Sequence, residues 1–455
     1  MDKSLCSVGL DVGTTTTQLV VSRLRARNQA SAFGAPRMEI TDREVVYQSP
    51  VHFTPLLSGE LVDGEGIRQL VEADYQAAGI TPETVDTGAV IITGETSRKE
   101  NAAAVLHALA HHAGKFVVAT AGPELESVLA ARGAGAVEAS QTEAVLHMDI
   151  GGGTGNLALC RAGEICATGC LNVGGRLLKL TENGEITYVS PVLQGVIPEK
   201  CGEILTKTRG MEIARLLASV LEMAAGRREK TRLFAHFVTA GTAMLPVEPG
   251  VTVSFSGGVA DCIRQDVPWL AYGDLGPLLG QAIRESALCR GPYRLGSQTI
   301  RATVIGAGCH SVQLSGSTIY RQNTPLPLQN LPVAALSPAE QELPPAELIS
   351  LIRQKMAMLE GTGVLQLPGW NAPAYSRVKS LAAAIRQAMA GKAVCVALEA
   401  DMAKVLGNAL ALELGPTAEI LTIDGIRADS QSYLDVGAPV GPALTVAVKT
   451  LIFEK

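Results

Sequence analysis

Two short turns rich in glycine and threonine constrain this chain more than any other feature. They are Asp11-Val12-Gly13-Thr14-Thr15-Thr16-Thr17 and Asp149-Ile150-Gly151-Gly152-Gly153-Thr154-Gly155. An apolar run precedes each (Val8-Gly9-Leu10, Ala144 to Met148) and another follows (Gln18-Leu19-Val20-Val21, Asn156-Leu157-Ala158-Leu159). Each unit reads as a buried strand, a tight turn and a returning strand, with an aspartate near the end of the first strand. Glycines let the backbone approach a phosphate so that its amides point at the anion. Threonine hydroxyls add donors, and a carboxylate can hold a hydrated Mg²⁺ against the phosphate. A lone D-x-G-T is more often an ordinary β-turn. Two copies, about 140 residues apart, imply a duplicated fold that grips one nucleotide from both sides.

A third element follows in order. Val251 to Phe255 is a buried-strand pattern that runs into Ser256-Gly257-Gly258-Val259-Ala260-Asp261. In that setting the two glycines open a helix whose N-terminus faces an adenosine or its α-phosphate. Two phosphate hairpins and a Gly-Gly loop in this order resemble the actin, Hsp70 and sugar-kinase superfamily of ATPases. The resemblance implies an α/β fold with two duplicated actin-like lobes around a nucleotide cleft, and ATP and Mg²⁺ as cofactors. Asp11 and Asp149 would face the metal. Gly13, Thr14, Thr15, Thr16, Gly151, Gly152, Gly153, Thr154, Gly257 and Gly258 would hold the nucleotide.

Further stretches extend that resemblance. Gly122 to Gly133 looks like the first connecting helix of the superfamily. Glu124 falls where Hsp70-like members place an acid that orients the attacking water, so it joins Asp11 and Asp149 as a catalytic candidate. The plainer account of Glu124 is a favourable charge on a helix's first turn. Val304 to Gly316 looks like the second connecting helix, with small residues where two helices cross. Arg98 and Lys99, after the strand Ala89 to Ile92, would bring a cation towards the γ-phosphate or simply start a solvated helix.

Composition excludes several classes. With 455 residues and 47% hydrophobic content the chain has material for about three domains. A net charge of −6 leaves no basic face for nucleic acid or an anionic membrane. No apolar run approaches the ~20 residues needed to cross a bilayer, and Met1-Asp2-Lys3-Ser4 lacks a signal peptide's pattern, so secretion is not expected. Nine cysteines, an odd number with no C-x-x-C pair, read as free thiols in a reducing cytoplasm. His107 and His111 share a helix face, but no carboxylate or cysteine motif joins them or His112.

Along the chain, strand-like and helix-like segments alternate. Helices are expected at 67–78, 100–113, 174–180 and 213–225, a strand at 116–119, and an irregular excursion at 25–43. Prolines crowd 321–345 (Pro325, Pro327, Pro332, Pro338, Pro344, Pro345), which reads as a linker or wrapping segment and not as a central strand. Beyond it, helices are expected at 348–359, 376–390 and 402–414, and strands at 393–398, 420–423 and 444–453. The expected organisation is a first lobe at 1–135, a second at 136–320, the linker at 321–345 and a C-terminal α/β module at 346–455. The module serves docking, unless its strands complete one of the lobes.

Longer strings outside the nucleotide elements narrow the family. Ile92-Thr93-Gly94-Glu95-Thr96-Ser97-Arg98-Lys99-Glu100-Asn101, Ala121 to Ser127, Leu171-Asn172-Val173-Gly174-Gly175-Arg176 and the end from Asp435 to Phe453 carry it. Over essentially the whole chain these resemble the large reactivating factor of ethanolamine ammonia-lyase, an actin-like chaperone of ethanolamine-utilisation operons. The resemblance implies a slow ATPase that frees damaged cobalamin from the inactivated lyase so that intact adenosylcobalamin can rebind. It also implies a cytoplasmic location, associated or not with the ethanolamine-utilisation microcompartment, and leaves a homo-oligomer open. Two other readings stand beside it: a sugar- or polyol-type kinase of the same superfamily, and an ATP-binding scaffold or filament protein. Asp261, Asp424 and Asp435 are available as a kinase's activating aspartate but sit in no recognised arrangement.

Overall fold

The computed structural model describes residues 3–13, 16–28, 38–58, 61–93, 101, 102, 105, 109, 117–120, 123–239, 245–248, 250–296, 298–310, 312–315, 318–359, 362–428, 430, 432–440 and 443–450. Lobe I is a mixed sheet of β1 (Lys3–Val12), β2 (Thr16–Asn28), β3 (Met38–Gln48), β4 (His52–Phe53), β5 (Thr87–Ile92) and β6 (Val117–Thr120). Its order is β3-β2-β1-β5-β6, with β4 on β2. The β1–β2 and β2–β3 pairs are antiparallel, and β1–β5 and β5–β6 are parallel.

Lobe II repeats this plan. β7 (Val145–Ile150), β8 (Gly155–Arg161), β9 (Glu164–Leu171), β12 (Thr252–Ser256) and β13 (Tyr293–Leu295) lie in the order β9-β8-β7-β12-β13. Again the first three strands are antiparallel and the last two parallel to the first. A side hairpin, β10 (Leu178–Leu180) with β11 (Ile186–Val189), stands apart from the sheet. The helix expected at 174–180 is absent: Gly174 and Gly175 lie backbone-on-backbone against Gly152 and Gly276, the chain turns at Gly175 and Arg176, and 178–180 is strand β10.

Each sheet is buried on both faces. Helix α1 (Gly64–Ala78) covers one face of lobe I with Ile67, Val71 and Tyr75, a stripe of period four. Asp63 caps its start by accepting from the Gly66 amide, and Gly79 ends it at φ 68°. Burial of each such aliphatic side chain contributes about 1.5–3 kcal/mol. In lobe II, α3 (Lys207–Ala224), α4 (Gly258–Arg264) and α5 (Gly276–Glu285) fill the same role.

The opposite faces meet at two crossing helices. Helix α2 (Pro123–Gly133) lies on the lobe II sheet, and α6 (Ala302–His310) lies on the lobe I sheet. A Cβ on Gly133 would stand 1.8 Å from the Ala302 carbonyl oxygen, and one on Gly306 2.0 Å from that of Leu129. Glycine is therefore required at this crossing, where the two lobes join.

A third sheet of eight strands contains β14 (Val312–Leu314), β15 (Tyr320–Gln322), β16 (Leu328–Ala335), β17 (Val364–Leu367), β18 (Val394–Leu398), β19 (Ile420–Ile423), β20 (Ser432–Val440) and β21 (Ala443–Thr450). The order is β14-β21-β20-β16-β17-β18-β19-β15, with β16 to β19 parallel. Helices α7 (Pro345–Ala357), α8 (Tyr375–Ala388) and α9 (Ala403–Leu414) make the crossovers and share one apolar core. The sheet touches lobe I through β21, where Ala443 packs on Ala26.

Three expectations are corrected here. Residues 321–345 are not a linker: β16 pairs with β17 and β20 in the middle of the third sheet. Pro332 is tolerated because it follows a register irregularity between Leu328 and Leu331 and precedes Val333, where β17 pairing begins. Pro338 and Pro345 each open a helix, where a missing N–H costs nothing. The module accordingly begins at Val312, not at 346, and α6 returns to lobe I, so neither 320 nor 346 is a boundary. Finally, 25–28 and 38–43 are strand, the ends of the long β2 and β3.

Candidate nucleotide cleft

Duplication places equivalent atoms face to face. Each aspartate is the penultimate residue of its lobe's first strand, Asp11 in β1 and Asp149 in β7. Each following turn is closed by the same bond, Gly13 N–H to the Thr16 carbonyl at 2.9 Å and Gly151 N–H to the Thr154 carbonyl at 3.0 Å. Between the lobes lies a cleft of about 610 Å³ lined by both turns.

The structure brings Asp11, Gly13, Thr16, Asp149, Gly151, Gly152, Gly153, Thr154, Gly257 and Gly258 to this one cleft. Gly257 has φ 83°, and a Cβ there would lie 2.3 Å from the Ile150 carbonyl oxygen, so only glycine lets β12 turn against the second phosphate hairpin. Gly258 and Gly153 have open space where a side chain would stand. Thr14, Thr15, Arg98, Lys99, His107, His111 and His112 lie outside the described residues.

Glu124 is not brought there. It is exposed and absent from the lining, whereas Glu126 is 7% exposed and lines the cleft. Two residues apart on a helix means opposite faces. Glu126 is fixed by Asn156, whose amide donates to it at 2.6 Å. Sequence reasoning missed Glu126 although it lay inside a string already singled out. It also missed Gln18, Thr93, Asn156, Arg176, Asp274 and Thr303, which line the cleft from strands, loops and, for Thr303, the first turn of α6, without a phosphate-type signature.

Electrostatics mark the site. Burial pushes the Asp11 carboxyl up to about 7; a hydroxyl bond from Thr93 (2.8 Å) opposes this, while the nearby Glu126 and Asp149 add to it. Burial likewise raises Asp149 to about 6, against hydroxyl donors Ser256 and Thr303. Behind Asp149 the His147 ring is fully buried between Ser254 and Ser256, and burial pushes it down to about 3. Arg176 pairs with Asp274 at 3.1 Å, whose other oxygen accepts from the Gly276 amide.

Crowded buried acids call for a cation, and the donor set is hard oxygen, which suits Mg²⁺. Among the described residues no group of three or more His, Cys, Asp and Glu is arranged to hold a metal. A cation between Asp11 and Asp149 would thus keep water and phosphate as its remaining ligands. The buried Gln18 Oε1 and Asn156 Oδ1 atoms in the lining lack hydrogen-bond partners, consistent with a polar occupant. Nucleotide and metal fit the residues present.

Two lobes of one topology, joined by crossing helices and closing on a cleft with an acid-tipped hairpin from each side, define the actin-like ATPase fold. The chain matches the family described as "Ethanolamine utilisation protein EutA" over residues 3–454, and it belongs to that family. It is 39% identical to the ethanolamine ammonia-lyase reactivase EutA of Salmonella typhimurium, across 99% of each chain. With the protein of the same description from Escherichia coli it shares 38%, again across 99% of each. Among solved structures, the Ppx/GppA family member of Aquifex aeolicus overlaps 67% of this chain and 97% of its own, at 12% identity and a TM-score of 0.42.

Proposed function

We propose that this protein is an ATP- and Mg²⁺-dependent reactivating chaperone for ethanolamine ammonia-lyase, releasing damaged cobalamin so that intact adenosylcobalamin can rebind. The observation that carries this reading is identity near 39% sustained over the whole length of a reactivase, third sheet included. It is a slow ATPase whose product is a conformational cycle. Its place is the cytoplasm, with the lyase, in or beside the ethanolamine-utilisation microcompartment. No described helix is long and apolar enough to cross a membrane.

The chain's residues divide the work. The Gly13 to Thr16 and Gly151 to Thr154 turns cradle the phosphates, and Gly257 and Gly258 leave room for the adenosine. Asp11 and Asp149 would hold hydrated Mg²⁺ from opposite lobes, and the ion when bound would supply positive charge against the phosphoryl oxygens. Glu126, held by Asn156, takes the water-orienting place expected of Glu124. Because the ligands sit on both lobes, ATP favours a closed cleft and its hydrolysis products a more open one. Unequal affinity of the damaged lyase for those two states does the work.

The test is incubation of inactivated ethanolamine ammonia-lyase with this protein, ATP, Mg²⁺ and fresh coenzyme. Ammonia release should recover only when all are present. Asp149→Asn should lower ATP hydrolysis about 100-fold, on the scale of roughly 3 kcal/mol of lost charge stabilisation, with an unchanged circular dichroism spectrum. Intact hydrolysis without recovery of the lyase would remove the partner; an unchanged rate in Asp149→Asn would remove the site.

A further inference from the structure

The duplicated sheets provide an internal control for one unusual feature. In lobe I the register pairs Gly9 with Ala89 and Asp11 with Ile91. In lobe II the equivalent pairs are His147 with Ser254 and Asp149 with Ser256. The same sheet is thus built once with glycine, alanine and isoleucine and once with histidine and two serines. His147 and Ser256 are 0% exposed and Ser254 is 3%. Burying an imidazole and two hydroxyls is unfavourable unless every polar atom finds a partner, and lobe I shows that the fold does not require them.

The partners form one continuous chain. Ser254 Oγ lies 3.2 Å from His147 Nδ1, His147 Nε2 lies 2.8 Å from Ser256 Oγ, and Ser256 Oγ donates to Asp149 Oδ1 at 2.5 Å. We propose that Ser254, His147 and Ser256 are a one-way donor chain that commits Oδ1 of Asp149 as an acceptor and aims Oδ2 into the cleft. His147 and Ser256 are thereby positioning residues for the nucleotide site.

The direction follows from proton counting. An ionised Asp149 can only accept, so Ser256 spends its single hydroxyl proton on Oδ1. Ser256 Oγ must then accept from His147, which places the ring proton on Nε2. Nδ1 is left bare and accepts from Ser254. Each bond polarises the next, so the charge on Asp149 is held in one orientation without a cation behind it. Asp11 receives its hydroxyl differently, from Thr93 beyond the end of β5, and the two metal-facing carboxylates are supported by unlike means.

This inference rests on the reading of the cleft as a Mg²⁺–ATP site, but its first test does not need nucleotide. The full chain has seven histidines, and ¹⁵N-histidine spectra of wild type and His147→Gln assign the ring by difference. Above neutral pH, His147 should show one fixed tautomer with its proton on Nε2. A proton on Nδ1, or two tautomers in exchange, would overturn the proposal whether or not ATP binds. Kinetics supply the second test. Ser256→Ala and His147→Leu should each lower kcat for ATP hydrolysis about tenfold while KM stays within about twofold. The double variant should be no worse than Ser256→Ala alone, because both cut the chain at the same place. Independent, multiplying losses, or an effect on KM alone, would contradict it. Should His147→Leu fail to fold, Ser254→Ala leaves both serine sites testable, with a smaller kcat loss expected. A wild type that neither binds nor hydrolyses Mg²⁺–ATP would instead strike at the cleft reading, and the tautomer would still decide the chain.

Discussion

At the scale of single residues, the cleft is defined by what is absent as much as by its acids. Gly258 has no heavy atom nearer than Ile300 Cδ1, at 3.9 Å from where its Cβ would stand, so a side chain there enters the cleft without disturbing the protein. Gly258→Val should weaken ATP binding about tenfold, roughly 1.4 kcal/mol, and leave the melting temperature unchanged; calorimetry showing wild-type affinity would move the adenosine elsewhere. The acids make a second prediction. In chelator, Asp11 and Asp149 sit near 7 and 6, above the ~4 of an unfolded carboxylate. Groups with raised folded values bind more protons folded than unfolded, so their contribution to stability is lost as pH rises from about 4 to 7. Asp11→Asn should therefore gain on wild type in melting temperature as pH rises through that window, and thermal scans that show a constant difference would refute this. That both acids reach one cleft was legible in the sequence because the same aspartate-and-glycine turn occurs twice, with a Gly-Gly loop following in order. Glu126 was not, because a helix start offers two acids and only the helix phase says which one turns inward.

Among the elements, the strands flanking each turn and several helices could be read directly, since periodicity and glycine turns are local signals, whereas α3 begins six residues before its expected start and α5 was not expected. Helix α9 and strand β19 emerge within a residue of expectation. The third sheet's start was hidden for a physical reason. Proline density reads locally as a break, yet Pro338 and Pro345 begin helices and Pro332 sits at a register fault in a central strand. Pairing of β14 with β21 joins residues far apart in the chain, and no local pattern announces it. The consequence is experimental. A truncation ending at Tyr320 leaves β14 and the first residue of β15 without their partners β21 and β19. Ending at His310 removes the third sheet whole. The shorter protein should stay soluble, bind ATP and fail to reactivate the lyase, whereas the longer one should aggregate through its orphaned strands. Equal behaviour of the two in sedimentation would show that the sheet does not begin at Val312.

For the whole molecule, the duplicated topology sets two lobes on one cleft, and among the described residues they join where α2 crosses α6. At that joint α2 and α6 meet through Gly133 and Gly306 with no side chain between backbones. Gly306→Ala should cost about 3 kcal/mol, the upper end of overpacking penalties, and should slow ATP turnover by holding the lobes apart. Equilibrium denaturation would show it; stability within 0.5 kcal/mol of wild type would mean that the crossing is looser than its geometry.

A second contact of the same kind, Gly9 against Gly308, seats α6 on β1, two residues before Asp11. Helix α6 ends at His310, and β14, the edge of the third sheet, begins at Val312. Helix α6, which rests on the Asp11 strand of lobe I, thus ends two positions before the third sheet begins, and among the described residues that sheet contributes nothing to the cleft lining. On this geometry a rotation of lobe I against lobe II is expected to carry the third sheet with it, so that a small chemical event in the cleft would be read out as leverage on whatever that sheet holds.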